Sequence, residues 1–281
     1  MNKQAKIKLL KNYFKKRDDV LMAFLFGSQA KKRATQRSDW DIGVYLKPRS
    51  GRLEWETEYL YPQRNKIWGD LVDILNTDNV DLLVLNSATP NIADIAIGGL
   101  PLVIKDRRLY LEFMLIITRE AMDYRYLVKD YYEIFQRSKS LIEKDKILLR
   151  ERIMFLENEL ADFAKFKKLT WQEYLKNRDV KRNLERWIEN LVNCSIDITK
   201  TLLASNRKNV PGSYREILHA LQILPGFSKD LSLKLASWAE LRNILAHQYL
   251  DLRWKQIKSF VQQAEPYFNQ FLESVKKFIN Q

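Results

Sequence analysis

Cysteine is almost missing from the chain. Cys194 stands alone in 281 residues, which excludes an internal disulfide framework and suits a reducing compartment. Its neighbours Leu191, Val192 and Ile196 make it a small buried hydrophobe rather than a reactive thiol. Glycine (8) and proline (7) are also scarce, so turns are few and helices are favoured. No segment approaches the ~18 uncharged apolar residues of a membrane span. The basic start, residues 1–6, leads into an amphipathic lysine-rich stretch and not into an apolar signal core. The chain is therefore expected to stay in the cytoplasm, with no membrane partner.

What the sequence does hold is apolar bulk and positive charge. Hydrophobic residues make up 46% and charged residues 30% of the chain, a composition that folds, and the length accommodates two ordinary domains. Net charge is +13 and the sequence pI about 9.6, which points toward a polyanionic partner such as RNA or nucleotide phosphate.

Residues 4–17 place Ile7, Leu10 and Phe14 at helical spacing with lysines opposite. Residues 20–26 form a short apolar run, a buried strand that meets a tight turn at Gly27-Ser28. A polar, basic stretch (29–38) leads to Asp39-Trp40-Asp41 and a strand over 42–46. Pro62 precludes one continuous helix there, so the helix is expected over 63–76, followed by a strand at 80–86, a short helix at 92–97 and a strand at 101–105. Strands alternating with helices predict a small mixed α/β domain. After Asp106 only helical periodicity remains, near 108–138, 141–167, 179–205, 213–223, 230–250 and 253–278, with Pro211-Gly212 and Pro225-Gly226 as breaks. That pattern predicts an all-α bundle. The expected organisation is a domain at 1–110, a connecting helix at 111–140 and a helical domain at 141–281.

Nucleotidyl transfer needs backbone donors at an open turn to approach a triphosphate, and hard carboxylates on one surface to hold two Mg²⁺ ions. Gly27-Ser28 after a strand supplies the turn. Asp39 and Asp41 alternate along an extended segment and so share one sheet face. Asp81, early in a strand that can pair beside the first, brings a third carboxylate. The spacing Gly27-Ser28, ten residues, Asp39-x-Asp41 resembles the signature of the minimal nucleotidyltransferase (MNT) family within the polymerase-β-like superfamily, and the resemblance runs from about residue 20 to 110. It implies Gly27 and Ser28 on the triphosphate of ATP, Asp39, Asp41 and Asp81 as metal ligands, and Asp81 as general base for the acceptor hydroxyl. Lys31, Lys32, Arg33 and Arg37 form either a phosphate-holding or a solvated basic loop.

The chain has two histidines. His219 lies in an apolar helical setting and is expected to be structural. His247 follows Arg242 by five residues and precedes Tyr249 by two. A histidine that titrates near neutrality can take the proton of an RNA 2′-hydroxyl, and an arginine fork can hold the scissile phosphate. On an ideal helix Arg242 and His247 point ~140° apart, whereas Arg242 and Tyr249 fall on one stripe. A joint site needs either a break near Ala246 or a second copy across a two-fold interface. The segment resembles the R-x4-H-x-Y motif of HEPN-domain (HepT-like) toxins, with Asn243 after the arginine, over roughly 145–260 and including the helix 182–198. That resemblance implies a homodimeric, metal-independent ribonuclease with catalytic Arg242 and His247, and AMP attached to Tyr249 by the nucleotidyltransferase to silence it. The resemblance implies RNA as a partner, and no DNA is expected. Toxin and antitoxin are usually separate chains in this family; here one polypeptide carries both.

Two rival readings use the same residues differently. A small-molecule nucleotidyltransferase of the aminoglycoside-modifying kind would need the three aspartates but not Arg242-x4-His247-x-Tyr249. A non-catalytic RNA- or nucleotide-binding scaffold would need neither set intact.

Overall fold

The computed structural model describes residues 2–30, 38–49, 51–137, 140–247 and 254–280, His247 by its backbone only. Two compact units divide the chain, Met1–Arg125 and Tyr126–Gln281. The expected mixed α/β domain and helical bundle are both present. No helix among the described residues is long and apolar enough to cross a membrane.

The first unit runs α1 (Lys3–Lys16), β1 (Val20–Phe26), α2 (Gly27–Ala30), β2 (Trp40–Leu46), α3 (Gln63–Leu75), β3 (Val80–Val84), α4 (Pro90–Ile97), β4 (Leu100–Ile104) and the start of α5 (Arg107–Arg137). The four strands lie in the order β3-β2-β1-β4. β1 pairs antiparallel with β2 and β4, and β2 pairs parallel with β3. A parallel pair demands a crossover, and α3 provides it.

Both sheet faces are covered, which is why the central strands read as continuous apolar runs rather than alternating ones. Ala23, Leu25, Ile42, Val44, Val80 and Leu82 pack on one side with Leu10, Phe14, Ile67 and Leu71 of α1 and α3. Met22, Phe24, Phe26 and Tyr45 pack on the other with Ala93, Ala96, Phe113 and Ile117 of α4 and α5. Each fully buried Val, Leu, Ile, Phe or Met among them contributes ~1.5–3 kcal/mol. The third strand stops earlier than its apolar run predicts, because buried Asn86 replaces backbone pairing with side-chain pairing. Its Oδ1 accepts from Leu46 N at 2.8 Å and its Nδ2 donates to Leu46 O at 3.0 Å.

The second unit contains the end of α5, then α6 (Glu143–Leu160), α7 (Phe163–Lys167), α8 (Trp171–Lys176), α9 (Arg178–Ser205), α10 (Tyr214–Ala220), α11 (Lys229–His247) and α12 (Trp254–Ile279). The C-terminal half of α9 is buried on nearly all sides, as a central bundle helix should be. An aromatic core joins Phe163, Trp187, Trp238, Phe260 and Phe268, with Phe163–Trp187 centroids 4.6 Å apart and Trp238 stacked on Phe268 at 5.4 Å. The single helix expected over 141–167 is broken between α6 and α7. The indole Nε1 of Trp187 donates to Glu159 O at 2.8 Å, satisfying a terminal carbonyl, while Phe163 and Phe166 turn inward.

Two side chains test the local expectations. Cys194 is buried, with its Sγ 3.3 Å from Arg152 O, and burial pushes its thiol up to about 12, so it is inert. His219 corrects its expectation: it is exposed on α10, 3.0 Å from the Gln222 amide nitrogen, while Ile217, Leu218 and Leu221 fill the core instead.

Candidate functional site

β1 ends at Phe26, the register partner of Asp41. The next residue, Gly27, has φ +66°, and a Cβ built there would lie 1.9 Å from Asp41 Oδ2. Glycine is required twice over, by the left-handed backbone and by the carboxylate lying against its α-carbon. Across the parallel pair Asp41 is the register partner of Asp81, and Asp39 precedes β2 by one residue. The alternation that sends Trp40, Ile42 and Val80 into the α1–α3 core leaves Asp39, Asp41 and Asp81 on the opposite face. Asp39 and Asp81 are exposed, Asp41 half-buried.

Burial is the first cause that raises the Asp41 carboxyl above the ordinary range, and the charges of Asp81 and Asp39 add to it. Asp39 and Asp81 therefore each lie close enough to Asp41 to repel its charge. Among the described residues no three acidic, histidine or cysteine side chains stand as a ready-made metal cage. A hard oxygen set whose members repel, open to solvent and to an incoming phosphate, fits Mg²⁺, which takes one or two carboxylates and completes its shell with water and substrate phosphates.

The sign of the Asp41 shift gives a prediction. A carboxyl whose folded-state pKa is raised opposes folding when ionised, so the cost grows as pH rises from the ordinary carboxylate value through the raised one and is complete above it. Asp41→Asn should melt higher than the parent at neutral pH in chelator, with the gap closing on acidification. Thermal melts over roughly pH 3 to 8 check this; a gap that widens in acid contradicts it.

Gln29 belongs to this site although its residue type gave no signal. It is buried, and its Nε2 donates to Ser38 O at 3.0 Å. This bond ties the turn after β1 to the entry of β2 and so holds Gly27-Ser28 and Asp39 together. The basic residues Lys31, Lys32, Arg33 and Arg37 lie outside the described residues.

In the second unit Arg242 projects from α11 toward α9 and α10. Its Nε donates to Asn193 Oδ1 at 2.8 Å, one Nη1 hydrogen goes to Asn243 Oδ1 at 3.0 Å, and its Cζ lies 4.9 Å from the centre of the Tyr214 ring. Asn243 is buried. α11 continues unbroken to His247, so no break occurs at Ala246 and positions 242 and 247 remain ~140° apart around the axis. Tyr249 lies outside the described residues.

Residues 8–108 match the family model for polymerase beta nucleotidyltransferases, and residues 156–275 match the model for HepT-like ribonucleases. Among solved structures the chain is similar to a toxin–antitoxin crystal structure with AMP-PNP, at 21% identity and TM-score 0.34, covering 48% of this chain and 97% of that one. It is similar also to a mutant of the MntA-HpeT toxin–antitoxin, at 22% identity, TM-score 0.34 and the same coverage of 48% and 97%. No curated protein matches. The chain thus joins a nucleotidyltransferase domain of the polymerase beta family to a HepT-like domain in one polypeptide.

Proposed function

We propose that this protein is a toxin and its antitoxin in one chain, acting in the cytoplasm, in which the N-terminal domain adenylylates Tyr249 and silences a ribonuclease built by the helical domain. The observation that supports this most is the register pairing of Asp41 with Asp81 beside Gly27, in the same polypeptide as a HepT-like segment.

The backbone N–H groups of Gly27 and Ser28 bind the triphosphate of ATP, at a turn whose missing side chain leaves room for the Asp41 carboxylate beside it. Asp39, Asp41 and Asp81 would hold Mg²⁺, which when bound would neutralise charge on the reacting phosphates. Asp81 takes the proton of the Tyr249 hydroxyl as the oxygen attacks the α-phosphorus. The new bond is phenolic oxygen to phosphorus, the bond to the β-phosphate oxygen breaks, and pyrophosphate leaves.

In the unmodified chain His247 takes the proton of an RNA 2′-hydroxyl, which attacks the adjacent phosphorus and expels the 5′-oxygen of the next nucleotide. Arg242 holds that phosphate through its fork. Positions ~140° apart on one helix make a site only when two copies face each other, so a homodimer through the helical domain is part of the proposal. The seven-residue spacing from Arg242 to Tyr249 supports the reading that AMP on Tyr249 puts a competing phosphate beside the guanidinium.

ATP labelled at the α- or the γ-phosphate tests the reaction class. Label from the α-position alone should appear on the protein, and not in chain carrying Asp39→Ala and Asp41→Ala. No label on protein, with label instead on an added aminoglycoside, would replace this reading by the small-molecule enzyme.

A further inference from the structure

Arginine used on a phosphate must present its planar fork at a set angle, because two parallel N–H···O bonds form only when guanidinium and phosphate oxygens share a plane. A long side chain on a helix surface does not hold that plane unaided. Around Arg242 the plane is set from three elements. Asn193 of α9 takes the Nε hydrogen at 2.8 Å, Asn243 takes one from Nη1 at 3.0 Å, and the Tyr214 ring of α10 lies 4.9 Å from Cζ.

The elements that carry Asn193 and Tyr214 are themselves fixed. Asn193 sits on a polar stripe of α9 with Asn190 and Asp197, whose side chains reach Glu159 and Arg152 of α6, so the stripe is wedged between two helices. Tyr214 is the first residue of α10 and nearly buried. Its placement follows from the helix cap: Ser213 Oγ accepts from Glu216 N at 3.2 Å, and Gly212 N donates to Glu216 Oε2 at 2.7 Å. The Nε bond stops rotation of the guanidinium about its own stem, and the ring fixes which way its face points.

We propose that Asn193 and Tyr214 are positioning residues that orient the Arg242 guanidinium for the RNA phosphate. The inference rests on the ribonuclease reading above, which assigns Arg242 to that phosphate. Neither residue belongs to the R-x4-H-x-Y segment, and they reach it from 49 and 28 positions upstream in sequence.

The test uses full-length chain carrying Asp39→Ala and Asp41→Ala, so that adenylylation is off, with a short RNA and steady-state kinetics. Asn193→Ala and Tyr214→Leu should each lower kcat/KM by roughly 10–100-fold, the range expected of a misplaced catalytic group. The pH–rate profile should keep its shape, since the histidine is untouched. Tyr214→Phe, which keeps the ring, should rescue most of what Tyr214→Leu loses. In an Arg242→Ala background the same substitutions should cost nothing more, because their effect runs through the missing guanidinium. Cleavage that falls with Arg242→Ala but survives both positioning variants overturns the inference alone. So does an equal further loss in the Arg242→Ala background. Cleavage that survives Arg242→Ala itself overturns the ribonuclease reading, and the inference with it. If Asn193→Ala does not fold, the two Tyr214 variants decide.

Discussion

Asp39→Ala combined with Asp41→Ala should turn a chain that cells tolerate into one that stops their growth. Both carboxylates lie on the face that carries Asp81, with Asp41 in register with it, and losing two of the three acids removes most of the grip on Mg²⁺-bound ATP. Transfer should fall by roughly 10³-fold or more, leaving Tyr249 bare and the nuclease active. Adding His247→Ala should restore growth, because the 2′-hydroxyl then has no base. Colony counts after induction, with RNA cleavage by purified protein alongside, measure both steps. Unchanged growth with the aspartate variant would favour the small-molecule enzyme, and toxicity that survives His247→Ala would remove the nuclease mechanism.

Gly27→Ala should nearly abolish transfer while leaving the chain folded. The new methyl would sit 1.9 Å from Asp41 Oδ2, far inside contact distance, so the carboxylate must swing away from its place beside Asp39 and Asp81. A displacement of about 1 Å at a reacting centre costs on the order of 10²-fold in rate. Backbone strain also contributes, ~1–2 kcal/mol for an L-residue in the left-handed region. Gly51→Ala separates the two effects. Gly51 has φ +70°, close to the +66° of Gly27, but a Cβ there meets nothing within 4 Å. Both variants should lose similar stability, and only Gly27→Ala should lose labelling by ATP. Equal labelling of the two would mean that the carboxylate–glycine contact is not part of the site.

Much of this was readable before any coordinates, and the reason is periodicity. The apolar run 20–26 and the helical repeats after 106 state their elements directly, since burial on one or two faces dictates them. The pairing of Asp41 with Asp81 was anticipated from the idea that the two strands lie side by side, and the parallel register supplies it. Tertiary effects were harder to read. The break between α6 and α7 depends on Trp187, more than twenty residues onward in sequence, reaching a helix-end carbonyl. The short helix α8 had a local signature that periodicity overlooks, Thr170-x-x-Glu173, and the structure shows both bonds of that capping box. His219 misled because apolar neighbours on a helix do not say which way one side chain faces; three of those neighbours turned inward and the histidine outward.

The site shows the same division. Gly27, Asp39, Asp41 and Asp81 could be picked out as candidates because the proposed phosphate and metal binding calls for those residue types at that spacing. Gln29, Asn193 and Tyr214 do not, since a buried amide or a ring gains meaning only from its partner. Gln29 has a backbone carbonyl nine residues away, and Asn193 an arginine 49 residues away. Arg242 and His247 stand on an unbroken α11, which is why the proposed ribonuclease site includes a second copy of the chain.

The most direct measurement is peptide mapping of purified protein by mass spectrometry before and after ATP and Mg²⁺, with RNA cleavage followed on the same samples. The account predicts an adenylyl mass on the peptide containing Tyr249, rising as cleavage falls, and neither change in the Asp39→Ala, Asp41→Ala chain. Cleavage silenced by ATP while Tyr249 stays unmodified would contradict it.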